Sequence, residues 1–296
     1  MSIKQRLEVL PWDTLARYRL IEIIALWEGR VTSRHLGNAF GIARQQASRV
    51  MKTYRETVAE NNLEYDPVIK GYRPSANFCP MLTRGEVDEY LQLLGNHDNL
   101  NPHFTGLGLG QANTEALRLP SRSASPPVVR ALIEAASQGA RLEVTYASLN
   151  SPQGEERILC PHTLVYAAGR WHVRAFCEKN RAFRDFVLSR FRAVPELFGE
   201  ALEGSQRECD EGWETRVTLK LGADPRLTPA ERGLIEQDHG MVDGELHLPT
   251  RGALVQYVLR ELGINPDHLE ESPRAQQLVV LNRDEITDWL FVSSST

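Results

Sequence analysis

The stretch Val31–Val58 reads VTSRHLGNAFGIARQQASRVMKTYRETV, and its second half decides how the first third of the chain folds. Ala43, Ala47, Val50, Met51, Tyr54 and Val58 recur at offsets of 4, 7, 8, 11 and 15 residues. That spacing is one face of a helix with 3.6 residues per turn. The opposite face carries Arg44, Gln45, Ser48, Arg49, Lys52 and Arg55. Between Gly29 and Arg55 there are six Lys/Arg and no Asp or Glu. A helix whose outer face is all basic and amide suits a phosphate-lined groove.

The flanking sequence fits that reading. Trp12–Glu28 is rich in Leu, Ile and Ala and closes at Gly29, a typical helix stop. Thr32 or Ser33 then caps a short helix ending near Phe40, and Gly41 makes the turn into the basic helix. Helix, glycine turn, helix is a helix-turn-helix. Downstream, Val68-Ile69 and Tyr72 flank a Lys70-Gly71 turn, which reads as a β-hairpin wing. Gln45, Ser48 and Arg49 are the expected base readers, while Arg44, Lys52 and Arg55 are expected on phosphate. Arg34, Gln46 and the wing residues Lys70 and Arg73 complete the candidate DNA-binding set. Residues 1–80 are thus expected to form a winged helix-turn-helix domain.

At 296 residues, two or three domains are the prior, with 42% hydrophobic and 25% charged residues as in soluble proteins. The longest apolar run, Ile21–Trp27, is broken by Glu22, so no membrane span is expected. The first residues lack a signal-peptide core, and four scattered cysteines form no CxxC pair. A cytoplasmic protein with reduced thiols is the expectation. The eight histidines show no HExxH or His/Cys cluster, so neither a metal nor another cofactor is expected. The net charge of −5 hides an asymmetry: residues 193–296 hold 9 Lys/Arg and 20 Asp/Glu, the rest 25 and 19. A cationic front favours a polyanion partner, and an anionic tail favours protein contacts.

Thr83–Leu94 reads as a helix capped at Thr83, residues 95–125 as a Gly/Asn/Ser-rich linker, and Val128–Ser137 as a further helix ended by Gly139. The segment 81–138 is expected to be a helical linker. From Arg141 the period changes to that of strands. Leu142, Val144 and Tyr146 alternate, and Arg157–Pro161, Thr163–Tyr166, Trp171–Phe176 and Phe183–Leu188 follow as short segments between turns. Such density predicts a small β-barrel or tightly curved sheet over 139–194. Beyond it, strands at Trp213–Leu221, Glu245–Leu248 and Gln276–Leu281 alternate with helices at Pro225–Gln237 and Ala253–Leu262. A last helical run covers Asp284–Phe291. Residues 205–296 are expected as a compact α/β dimerisation domain, making the fold class α+β multidomain.

Residues 170–192 contain seven Lys/Arg against only Glu178 and Asp185. Strand alternation places Arg174 on a face with His172 and Phe176, and Arg184 with Phe186 and Leu188. Arginines gathered with His162, Trp171 and Tyr146 would make a pocket for phosphates and stacked bases. An ordinary sheet with a charged outer face remains the alternative.

Leu142–Arg192 resembles the WYL domain, a small Sm/SH3-like barrel of bacterial transcription regulators. The matching marks are Tyr146-Ala147-Ser148, Arg157…Cys160-Pro161-His162, Gly169-Arg170-Trp171-His172-Val173-Arg174 and Arg181-Ala182-Phe183-Arg184…Ser189-Arg190. The naming Trp-Tyr-Leu triplet stands here as Trp171-His172-Val173, keeping only the tryptophan. With the winged helix ahead and the extension behind, the order resembles the BrxR/CapW group of repressors of phage-defence operons. That resemblance implies a ligand pocket of Tyr146, Ser148, His162, Trp171, His172, Arg174, Arg181, Arg184 and Arg190, taking a nucleotide or oligonucleotide effector.

The expected protein is therefore not an enzyme but a homodimeric repressor. It would leave a palindromic double-stranded operator when the barrel binds its effector. An activator of the same architecture, or a nucleic-acid-processing accessory factor, are the alternatives.

Overall fold

The computed structural model describes residues 7, 10–91, 93 and 124–290. The chain divides into two compact units, Met1–Arg118 and Leu119–Thr296. The linker expected over 95–125 lies, but for its last two residues, outside the described residues.

In the first unit, α1 (Trp12–Glu28) stops where Gly29 takes a left-handed conformation, φ 69°, and returns its N–H to the Ala25 carbonyl. Helix α2 (Ser33–Phe40) opens with a capping box in which the Thr32 N–H reaches His35 Nδ1 at 3.4 Å. It closes at Gly41, φ 62°. Helix α3 (Arg44–Thr53) follows and runs on as a π-helical turn, Tyr54–Val58, whose Ala59 N–H reaches the Tyr54 carbonyl. Ala47, Met51, Tyr54 and Val58 are buried, as the spacing predicts. Ala43 is exposed instead, because it is the N-cap and its extended backbone precedes the helical face.

The hairpin forms one segment earlier than the sequence suggests. β1 (Leu63–Asp66) pairs with β2 (Gly71–Pro74) across a four-residue turn that contains Val68 and Ile69. The Asp66 carboxylate accepts from the Val68 N–H at 2.8 Å, and this side-chain turn ends β1 before the apolar pair. Val31 bridges to Tyr72, tying the wing to the loop after α1.

One buried carboxylate organises this unit. Glu22, on α1, is fully buried and accepts from the Tyr54 hydroxyl (2.9 Å) and the backbone N–H groups of Met81 (3.0 Å), Leu82 (2.7 Å) and Thr83 (2.9 Å). This holds residues 81–83 out of helix, so the next helical run begins at 87 rather than at Thr83. The Thr83 hydroxyl donates to the buried Glu89 carboxylate instead of capping at that point.

In the second unit, α4 (Pro126–Gln138) starts with two prolines after Ser125 and ends at Gly139, φ 62°. It covers one face of a five-stranded antiparallel sheet built from β3 (Ala140–Tyr146), β4 (Glu155–Ala167), β5 (Arg170–Cys177), β6 (Ala182–Val187) and β7 (Glu196–Glu200). The strand order is β6-β5-β4-β3-β7. Of the small β-barrel or tightly curved sheet expected from the sequence, the described residues show an open sheet with β6 and β7 at its edges. After β6 the backbone winds through a 3-10 turn, Leu188–Arg190, bridges to β3 at Tyr146–Phe191 and then pairs with it as β7. The two segments expected on either side of His162 are one strand, β4, with a bulge between Pro161 and Thr163.

A one-turn helix, α5 (Glu211–Glu214), leads into a three-stranded sheet of β8 (Arg216–Ala223), β9 (Leu246–Arg251) and β10 (Leu278–Val280), with β8 central and both pairings antiparallel. Helices α6 (Pro229–Asp238), α7 (Val255–Glu261) and α8 (Arg283–Ile286) pack with it around Leu219, Leu221, Ile235, Leu259 and Ile286. Trp213 belongs to α5, not to the strand, and Phe291, the expected end of the final helical run, lies outside the described residues.

Glu22→Ala would take the acceptor from three backbone amides and from the Tyr54 hydroxyl, which would keep only the donation it receives from Asn62. We expect it to destabilise the first unit by about 3 kcal/mol or more, with Glu22→Gln milder. Urea unfolding of the full chain checks this, and an unchanged midpoint for the alanine variant would contradict it.

Candidate nucleic-acid interface and ligand cleft

On α3, Arg44, Gln45, Gln46, Ser48, Arg49 and Lys52 are all exposed while Ala47 and Met51 face the core. Arg34 is exposed on α2, and Lys70 is exposed at the wing turn with φ 48°. A cleft of about 530 Å³ brings Arg34, Arg44 and Lys70 together with Arg30, Ser33 and Asn38. Arg30 escaped the sequence reading because it lies in the loop between helices, where no periodicity marks it. It comes close because β2 passes against it at Gly71, where a Cβ would stand 3.0 Å from its side chain.

Two expected phosphate contacts are engaged within the unit. The Arg55 guanidinium lies 4.7 Å from the centroid of the Tyr72 ring, bracing helix against wing. Arg73 faces Glu64 at 3.5 Å and Asp66 at 3.7 Å, so the wing balances its charge. Lys52 stays exposed beside Glu56, 3.8 Å away.

The nine expected pocket residues of the five-stranded sheet do not converge. Tyr146 is a core residue whose hydroxyl accepts from the Val187 N–H at 3.0 Å, with Phe186 and Phe191 edge-on to its ring. Ser148 accepts from the Ser151 N–H in a turn. Trp171 is half exposed beside Tyr166, and His172 is buried against Tyr257. Arg190 sits in the 3-10 turn. Register decides the arginines: Arg174 is opposite Asp185, whereas Arg184 is opposite Ala175. Directly opposed residues share a face, so Arg174 and Arg184 lie on opposite faces of the sheet.

Arg174 and Arg181 do meet, in a second cleft of about 530 Å³. Its other walls come from Phe176 and Phe183 on the sheet, from Asp210 and Glu211, and from Asp288 and Trp289 near the C-terminus. Arg174 is buried, with Nε 2.5 Å and Nη2 2.9 Å from the two oxygens of Asp210, and Nη1 3.2 Å from Asp185. His162, released from the ladder by the bulge, places Nε2 3.1 Å from the same Asp210. The Tyr257 hydroxyl donates to Asp185 at 3.1 Å, carrying the network into α7.

Burial works to raise the Asp210 pKa, but the hydrogen bonds from His162 and Arg174 and the guanidinium charge prevail and pull it from 3.8 to about 2. Burial and then the Asp185 charge push the Tyr257 hydroxyl upward, so it stays a donor. Burial lowers the His172 pKa, keeping that ring neutral near pH 7. Asp210 went unnoticed in the sequence because it lies in an acidic stretch that reads as a solvated face.

A carboxylate with a depressed pKa contributes stability that is present above its unfolded value near 3.8 and lost as pH falls toward about 2. We expect the second unit to lose on the order of 2 kcal/mol from this group across that window. Asp210→Asn should flatten that part of the acid unfolding curve, and an unaltered curve would contradict the assignment.

Three family models match successive parts of the chain. They are the BrxR transcriptional regulator winged helix-turn-helix domain over residues 13–96, the WYL domain over 127–195 and the BrxR C-terminal dimerization domain over 216–286. The DNA-binding transcriptional repressor CapW of Pseudomonas aeruginosa is 37% identical over 94% of this chain and 92% of its own. Those of Escherichia coli (strain KTE188) and Stenotrophomonas maltophilia are 33% and 32% identical, over 93% and 94% of this chain and 91% and 93% of theirs. Winged helix, WYL sheet and C-terminal domain follow one another here in the same order, and the chain belongs to the BrxR/CapW family of WYL-domain transcriptional regulators.

Proposed function

We propose that the protein is a homodimeric transcriptional repressor that holds a palindromic operator of a phage-defence operon and releases it on binding a nucleic-acid-derived effector. The observation that carries the DNA-binding part is the exposed, unmixed face of α3 beside the Arg30–Arg34–Arg44–Lys70 cleft. In this reading Gln45, Ser48 and Arg49 read base edges, and Arg34, Arg44, Gln46, Lys52 and Lys70 grip phosphate. Arg55 acts as the brace that fixes wing against helix.

A single helix-turn-helix touches few bases, so nanomolar specificity needs two half-sites about one helical turn apart. The matched dimerization domain supports a twofold protein on a twofold site. The effector would act by linkage, favouring a dimer shape whose two α3 helices no longer match the half-site spacing. Its reach is its differential affinity for the two shapes, typically about 5–150-fold. The cleft beside Arg174 and Arg181 supports that part of the reading, with aromatic rings and a guanidinium pair in one concavity.

Footprinting on the DNA upstream of its own gene should protect two half-sites. Arg49→Ala should lower affinity for that operator while leaving non-specific binding nearly unchanged. Lys52→Ala should weaken all DNA and reduce the salt slope by about 1. Equal affinities for both variants and the native protein would overturn the interface. Inserting about five base pairs between the half-sites turns them to opposite faces of the duplex. We expect at least a tenfold loss of operator affinity, partly restored by inserting about ten. A dimer indifferent to spacing would contradict the twofold reading.

A further inference from the structure

We infer that the apex of the wing, Pro67-Val68, is an apolar wedge that enters the minor groove beside the segment read by α3 and opens it. The operator is then chosen partly by how readily that flank deforms. This rests on the DNA-binding reading above and goes further, because it names a contact that reads no base edge and holds no phosphate. Val68 is 87% exposed, Pro67 beside it is exposed, and both lie in the four-residue turn between β1 and β2. A lone exposed valine needs no explanation, since much of any protein surface is apolar. An apolar pair at the apex of a hairpin is different, because a turn in water is served by Gly, Asn, Asp and Ser and gains nothing from valine.

The apex is also rigid. The Asp66 carboxylate accepts from the Val68 N–H at 2.8 Å and from the Ile69 N–H at 3.4 Å, and the Pro67 ring fixes one backbone angle. Lys70 closes the turn in a left-handed conformation, φ 48°. At the base, a Cβ on Gly71 would stand 3.0 Å from the Arg30 side chain and 3.1 Å from that of Thr32, and Tyr72 bridges to Val31. The wing is thus seated on the helix-turn-helix and meets a groove as a fixed protrusion.

Charge does not hold the flanks of this wing on DNA. Residues 63–74 carry Glu64 and Asp66 against Lys70 and Arg73, and Arg73 faces both carboxylates. Lys70 joins the cationic cleft with Arg30, Arg34 and Arg44, so a phosphate held there brings the apex against the duplex. A B-form minor groove is about 6 Å wide, whereas two paired strands already stand about 5 Å apart before side chains are added. Only the apex can enter, and a rigid apex enters by widening the groove. Apolar side chains inserted there partly unstack a base step and kink the duplex. Pyrimidine–purine steps yield readily, whereas A-tracts are stiff and narrow.

Base edges and flank stiffness are then selected by different residues. A valine reads no hydrogen-bond pattern, so its preference follows the cost of deforming the flank. Val68 also makes no ionic contact with phosphate. Its removal leaves the salt dependence of binding alone, which separates its role from that of Lys70.

The test uses the full-length protein on the DNA upstream of its own gene, with the bend measured from circularly permuted fragments and affinity from electrophoretic shifts. We expect the native protein to bend each footprinted site by about 20° or more. Val68→Ser should cut that bend by about half or more and lower affinity by about fivefold or more, with an unchanged salt slope. Lys70→Ala should instead lower the salt slope by about 1 while the bend persists. Replacing the flank of each half-site by an A-tract should weaken the native protein several-fold and Val68→Ser little. Because Val68 is exposed, Val68→Ser should keep the native unfolding temperature. Straight DNA under the native protein, or a Val68→Ser variant that bends and binds as the native protein does, would overturn the wedge while leaving the interface. Affinity lost through dissociation of the dimer, seen by sedimentation, would assign the apex to a protein contact and overturn the wedge as well. Failure of the native protein to retain this DNA would overturn the interface and the wedge with it.

Discussion

A guanidinium taken out of water needs acceptors, and each of the three guanidinium nitrogens of Arg174 has one, supplied by two carboxylates. Asp185 comes from the neighbouring strand, Asp210 from the connector 36 residues on, and Tyr257 steadies Asp185 from α7. Removing one partner of such a buried pair typically costs about 3–5 kcal/mol, more than a surface ion pair ever contributes. The same contacts fix where the connector leaves the sheet. Together with the apolar cluster of Val165, Ala167, Trp213 and Tyr257, these contacts seat the C-terminal domain on the sheet.

The DNA-binding unit uses the same device with the sign reversed. Glu22 is a buried anion without a cationic partner within ion-pair distance among the described residues, and it gathers a phenol and three consecutive amides. The Tyr54 hydroxyl belongs to the end of the recognition helix, and the amides belong to the chain leaving the unit. One carboxylate thus ties the departing segment to the residue that follows α3. Buried polar groups of this kind hold one arrangement among several of similar apolar burial.

Local pattern made much of this legible. The 3.6-residue period of Ala47–Val58 found α3 and its core face, and Gly29, Gly41 and Gly139 marked helix ends correctly. What failed depended on register and on contacts distant in sequence. Arg174 and Arg184 are ten residues apart on adjacent strands, and only the register of the intervening hairpin sends them to opposite faces. The bulge at His162 joined two expected strands into one. Asp66 closed a turn that the dipeptide Lys70-Gly71 had claimed. Asp210 had no local signature at all, since its importance comes from an arginine that sequence alone does not place beside it.

The π-helical turn at Tyr54–Val58 has a bearing on how such regulators diverge. A five-residue hydrogen bond inserts about 100° of rotation relative to a continuous α-helix. Arg55 and the residues after it are therefore set at a different angle from the exposed side chains of Gln45, Ser48 and Arg49. Exchange of Gln45, Ser48 or Arg49 for other residues leaves the brace on Tyr72 and the anchor on Glu22 where they are. One scaffold can in this way acquire a new DNA sequence preference while its internal wiring is inherited unchanged.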